Sequence, residues 1–98
     1  MKVAVSATGE SPESMVDPRF GRCNWFIITD TQTDQYLPVS NETNIAAVHG
    51  AGIQAAEKVS RLGVAAVITG KCGPKALQAL QAAGVKVYGG AEGTVKEN

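Results

Sequence analysis

The chain has 98 residues, 44% hydrophobic and 18% charged, with 11 glycines, a profile that suits one globular α/β domain over residues 1–98 and excludes a disordered or fibrous chain. Nine basic and nine acidic residues cancel, which argues against nucleic-acid binding, because nonspecific duplex binding relies on an excess of cations that displaces counterions. Met1 to Ser6 is too short an apolar run for a signal peptide or a membrane span, so a cytoplasmic protein off the membrane is expected, a monomer or a weak homodimer given how little surface so short a chain buries.

Lys2 to Ser6 alternates around Val3 and Val5 and reads as a first strand. Ala7 to Pro18, with glycine, prolines, serines and acidic residues, reads as a long mobile loop. Trp25-Phe26-Ile27-Ile28 opens a second strand that runs to about Asp30, and Gln35 to Ser40 a third that forms a hairpin with it. Pro38 has no N–H to donate, which places the third strand at a sheet edge.

The second half is more regular. Ala51 to Leu62 has helical spacing, with Gly52, Ala55, Ala56, Val59 and Leu62 inward and Glu57 set to pair with Arg61. Gly63 stands where a left-handed C-cap belongs, and the apolar run Val64 to Ile68 reads as a parallel strand covered on both faces. The unit then repeats. Pro74 opens a helix with Ala76, Leu77, Leu80 and Ala83 inward, Gly84 caps it, and Val85 to Tyr88 forms the last strand. A third helix is expected from Gly93.

An antiparallel meander of three strands followed by two strands parallel to the first gives a five-stranded mixed sheet of order 3-2-1-4-5, flanked by two or three helices. Four loops then meet at one end: Ala7 to Cys23, Asn41 to Gly50, Gly70 to Gly73 and Gly89 to Gly93. The carboxyl ends of parallel strands are where open α/β sheets bind ligands. These loops hold both cysteines, Cys23 and Cys72, the sole histidine, His49, and the cations Arg19, Arg22, Lys71 and Lys75. Helices begin near Gly50 and Gly73, and their free N–H groups favour an anion, while glycines at 50, 70 and 73 let a bulky ligand approach the backbone. Cys72, beside Lys71 and a helix N-terminus, is expected to have a depressed thiol pKa. Cys23 reads first as packing. No CxxC pair is present, and in a reducing compartment the two cysteines are expected as free thiols.

Neither a closed zinc site nor a P-loop can be drawn from these residues: Gly70-Lys71-Cys72-Gly73-Pro74-Lys75 lacks the spacing and the Lys-Ser/Thr pair. A two-metal nuclease needs clustered carboxylates, and the first and fourth strands end in Ser6 and Thr69. A thiol enzyme would use Cys72 as nucleophile and His49 as base, a geometry that sequence alone does not supply.

Three stretches, Arg19-Phe20-Gly21-Arg22-Cys23 running into Trp25-Phe26-Ile27-Ile28, His49 to Ala56, and Val67 to Ala76, with Gly84 to Tyr88 and Gly93-Thr94-Val95, resemble the dinitrogenase iron–molybdenum cofactor-binding family. The resemblance implies a ribonuclease H-like fold and a non-enzymatic carrier of an anionic metal–sulfur cluster, of iron–molybdenum or molybdenum–copper type, that exchanges it with donor and recipient proteins. On that resemblance the cofactor-binding set is Arg19, Arg22, Cys23, His49, Gly50, Gly70, Lys71, Cys72 and Gly73, with Cys72 and His49 as metal ligands. A full helix after the last strand is common in the family, and this sequence stops soon after Gly93. The alternative is a protein-interaction or regulatory module without a cofactor.

Overall fold

The computed structural model describes residues 1–33, 35–41 and 51–96. Alternating apolar residues make Lys2–Ala7 a central strand, β1, buried from Val3 onward. The aromatic and β-branched run Trp25–Asp30 is β2, and Gln35–Ser40 is β3. Helix α1 spans Ala51–Arg61, strand β4 Ala66–Ile68, helix α2 Pro74–Ala82 and strand β5 Lys86–Tyr88. The sheet order is β3-β2-β1-β4-β5. Strands β1, β2 and β3 pair antiparallel, while β4 is parallel to β1 and β5 to β4. The order and directions are those expected from the sequence, with two helices among the described residues. None of these helices is long and apolar enough to cross a membrane.

Both parallel strands are shorter than expected because each is preceded by a turn. Helix α1 ends in Gly63 at φ +76°, and Gly84, at φ +78°, follows the C-cap of α2, so the next residues leave the helix before joining the ladder. The Val85 N–H turns back to Leu80 O rather than to β4, and the strand starts at Lys86, whose N–H reaches Ala65 O. Ala76 and Leu80 form the buried face of α2 as expected, but Leu77 is only half-buried and Ala83, at the frayed C-cap, is exposed.

The sheet is covered differently on its two faces. On one, Ala4, Phe26, Ile28 and Val67 meet Ala55, Ala56 and Val59 of α1 and Ala76 and Leu80 of α2. The two helices approach closely, for a Cβ on Gly52 would lie 3.2 Å from Ala76 Cβ. On the other face, Val3, Val5, Ala7, Ile27 and Ala66 pack with Val16 and Val95 from irregular segments. Those segments correct two expectations. Residues 8–17 are knit rather than loose: Thr8 N–H donates to Met15 O, Asp17 N–H to Ser6 O and Val16 N–H to Gly93 O. No helix forms over Gly93–Lys96, because this stretch pairs instead with the 12–16 segment, through Val95 N–H to Ser14 O and Lys96 N–H to Pro12 O. Its backbone groups are satisfied sideways, which leaves none for helical bonding.

The outer edge of β3 is protected. Asn41 N–H donates to Asn24 O, continuing a ladder in which odd-numbered residues bond to β2 and Tyr36, Pro38 and Ser40 face outward. Pro38 removes a donor there, and Lys58 of α1 donates to the Ser40 carbonyl.

Cys23 lies wholly inside the helix-side core. Its Sγ donates to Phe20 O, and the Asn41 side-chain amide donates to Gly21 O and Cys23 O, pinning the 20–24 turn to the end of β3. Burial pushes the thiol up to about 12. A thiol ionising near 9 in the unfolded chain and about 12 in the folded one stabilises the fold below pH 9 and loses that contribution between the two values. Alkaline denaturation of wild type should therefore steepen through that window, and Cys23→Ala, though less stable at neutral pH, should show a flatter dependence. Leu80→Ala should cost about 2–5 kcal/mol in chemical unfolding, the usual range for a fully buried leucine.

Candidate functional site

The carboxyl ends of β1, β3, β4 and β5 and the start of β2 share one end of the sheet. Ser6, next to last in β1, and Thr69, just after β4, place two hydroxyls there. Ser6 Oγ lies 2.7 Å from Thr69 Oγ1 and 2.7 Å from the Asp17 carbonyl, so two buried hydroxyls and a loop carbonyl satisfy one another.

The chain then returns past this point and touches the sheet end through a single bridge. Arg19 pairs with Lys71 in a parallel bridge, and Phe20 N–H donates to Lys71 O at 3.1 Å. Gly70 makes the approach possible, because a Cβ there would lie 2.6 Å from Pro18 Cα. Gly70 O in turn accepts Gly90 N–H at 2.8 Å, and Thr69 O accepts Ala91 N–H. Three loops are thus stitched together by backbone bonds alone.

The result is a cavity of about 350 Å³ lined by Pro18, Arg19, Phe20, Gly21, Arg22, Lys71 and Gly73. Phe20 underlies its wall, 1% exposed, with its ring packed on Phe26 in the core at 5.3 Å between centroids. Helix α2 begins beside it at Gly73 with no side-chain cap, and a Cβ on Gly73 would meet nothing within 4 Å. The first N–H groups of α2 and the positive end of its dipole are therefore open to a ligand. A larger hollow of about 470 Å³ lies at the far end of the sheet beside Lys2, Ile28, Asp30 and Leu37, without this concentration of cations.

Arg19 is held by a carboxylate. Its backbone N–H donates to Asp17 Oδ1 at 2.9 Å, its Nε–H to the same oxygen at 3.2 Å and its Nη2–H to Oδ2 at 3.3 Å. The hydrogen bonds and charge of Asp17 raise the Arg19 pKa above its ordinary value, so it stays charged.

The expected site residues divide into three groups. Arg19, Arg22, Lys71 and Gly73 line the cavity, and Gly70 lies beneath it, where its missing side chain makes room for Pro18 rather than for a ligand. Cys23 is sealed in the core, and Cys72 packs half-buried against that core. Burial pushes the Cys72 thiol up, which overturns the expected depression: losing solvent around the sulfur outweighs the neighbouring charge of exposed Lys71. His49 and Gly50 fall outside the described residues, as does all of the 41–50 loop beyond Asn41. Among the described residues, no group of three or more His, Cys, Asp or Glu side chains could hold a metal ion. Sequence reading undervalued Asp17 and Phe20; the signal for Asp17 was an acid two residues before an arginine in a turn.

The family model for the dinitrogenase iron–molybdenum cofactor matches residues 1–98. The structure of the apo form of the orange protein from Desulfovibrio gigas superposes with a TM-score of 0.96 at 43% identity, covering 98% of this chain and 81% of that one. A Thermotoga protein, described provisionally as a NifB protein of the DUF35 family, superposes with a TM-score of 0.83 at 40% identity over the same shares of 98% and 81%. An uncharacterized protein of Methanocaldococcus jannaschii is 32% identical over 75 residues, which is 74% of this chain but only 64% of that protein. The family model covers this chain from residue 1 to residue 98, and the chain belongs to the dinitrogenase iron–molybdenum cofactor family.

Proposed function

We propose that the protein binds and carries an anionic metal–sulfur cluster, of iron–molybdenum or molybdenum–copper type, without catalysing a reaction on it. The observation that carries this reading is the preformed cavity in which Arg19, Arg22 and Lys71 surround apolar walls beside the uncapped start of α2. Cations and N–H groups suit the sulfide surface of an anion whose metals already have ligands, and Pro18 supplies an apolar contact that a soft, weakly hydrated anion favours. A bare metal ion would need several donors of its own, whereas a preformed cluster needs at most one or two, such as Cys72 and His49. On the same reading residues 1–98 act as one unit with a ribonuclease H-like topology, in the cytoplasm, taking cluster from a donor protein and passing it to a recipient. The family name and the orange protein neighbour support a cofactor-binding or carrier role.

The nuclease reading fares worse. Near the ends of β1 and β4 stand Ser6 and Thr69, which bond to each other, and Asp17 is committed to Arg19. The thiol-enzyme reading needs a thiolate, and burial holds Cys72 towards the thiol. Alkylation by iodoacetamide at pH 7 should therefore be slower at Cys72 than at a free cysteine, and Cys23 should react only on unfolding.

Protein purified without oxygen and reconstituted with iron, molybdate and sulfide should retain metal and inorganic sulfide in near-stoichiometric amounts, with a visible absorption band. The double variant Arg19→Ala, Lys71→Ala should hold the cluster about tenfold or more weakly, the scale of losing two charge-assisted contacts. A colourless wild type that refuses reconstitution would move the assignment to a protein-interaction module without a cofactor.

A further inference from the structure

Asp17 has a placement that a simple basic pocket does not require. It is a carboxylate only 1% exposed, lying next to a cluster of cations that are themselves in water. Its backbone is fixed on both sides, with its N–H on Ser6 O and its carbonyl beside Ser6 Oγ. Its side chain holds Arg19 by the Nε and Nη2 edge of the guanidinium. A guanidinium carries five N–H groups in one plane. The grip on Asp17 uses two of them and leaves the two on Nη1 and the second on Nη2 along the opposite edge. The Arg19 stem is anchored as well, through the bridge between its backbone and Lys71.

We infer that Asp17 is the positioning residue of this site: it fixes Arg19 so that the guanidinium presents its free edge to two atoms of a bound anion at once. The inference rests on the anion-carrier reading above for its ligand, but the ordering of Arg19 is a property of the protein alone. Long exposed arginines ordinarily sample many rotamers and lose that freedom on binding. An arginine already held at both ends has lost it in folding, so the bound state is reached at a smaller entropic cost.

Charge by itself predicts the opposite effect. Asp17 cancels Arg19, so a site working only by net charge would bind an anion more tightly once Asp17 was neutralised. The sign of the change therefore separates the two accounts. Asp17→Asn suits the test because its remaining oxygen can still accept the Arg19 backbone N–H, which keeps the turn. Its amide nitrogen, placed where Oδ2 accepted from Nη2, sets donor against donor and removes that half of the fork, while loss of the carboxylate charge loosens the Nε–H bond to the remaining oxygen.

The test has two arms on nitrogen-15-labelled protein. In the first, the Arg19 Nε–H resonance of wild type should be resolved, rigid and slow to exchange, and in Asp17→Asn it should be averaged and fast, with the backbone amide spectrum otherwise preserved. In the second, titration with tetrathiomolybdate should show Asp17→Asn binding about threefold to tenfold more weakly than wild type despite its extra positive charge, the order expected for one aligned charge-assisted contact. Arg19→Lys, which keeps the charge and removes the fork, should weaken binding as much, and adding Asp17→Asn to it should weaken binding no further. An Arg19 side chain as mobile in wild type as in Asp17→Asn, or equal or tighter binding by either single variant, would overturn the assignment. Should Asp17→Asn not fold, the wild-type resonance and Arg19→Lys decide the question. A wild type that takes up no tetrathiomolybdate would sink the carrier reading, and the resonance would still decide whether Asp17 orders Arg19.

Discussion

The site depends on one close approach, that of Pro18 to Gly70. A side chain at position 70 would collide with the Pro18 backbone, and without that contact Phe20 N–H could not reach Lys71 O. The bridge that follows sets Arg19 beside Lys71. Neighbouring like charges on paired strands repel, and here they are forced together by backbone geometry. Asp17 is the local answer to that repulsion, because it neutralises one of the two and fixes its direction. One glycine thus dictates the cation pair, and the cation pair gives the buried acid its role.

The same end of the molecule is braced by the 89–96 segment. Gly90 and Ala91 donate to Gly70 and Thr69 on one wall, while Gly93 O and the N–H groups of Val95 and Lys96 engage residues 12–16 on the other. Gly90 and Gly93, both at positive φ, let the chain turn twice in four residues to make these contacts. Val95, buried with Val3, Val5 and Val16, anchors the brace in the second core. The cavity is therefore assembled by folding, with the N–H groups of Phe20, Gly90 and Ala91 spent on its own loops and its cations left facing out.

Hydrophobic pattern made most of the architecture legible. The alternation in Lys2–Ala7, the proline in β3 and the repeated helix–glycine–strand unit were together enough for strand order and direction. What pattern does not record is where a backbone group finds its partner. Val85 looks like strand, but its N–H belongs to the helix end, and Gly93–Lys96 follows a strand as a helix would, but its N–H groups bond sideways. The site was legible as a set of loops and cations. Its internal division was not, because the side on which Cys72 packs and the depth at which Asp17 is buried are consequences of tertiary contact, not of spacing.

The division of labour among these residues bears on the chemistry. Both thiols are shifted away from ionisation by burial, and neither is assembled with other metal-binding side chains among the described residues. The exposed side chains that line the cavity are instead three cations and a proline. A protein that builds a metal centre from free ions must supply most of its ligands, and those must ionise to bind. A protein that handles a finished cluster needs the reverse: donors that hold the cluster's own sulfide without competing for its metals, so that the cargo can leave as intact as it arrived. A rim of arginine and lysine beside largely buried thiols fits the second requirement, and on the carrier reading the cations hold the cargo while Cys72 adds at most one ligand to it.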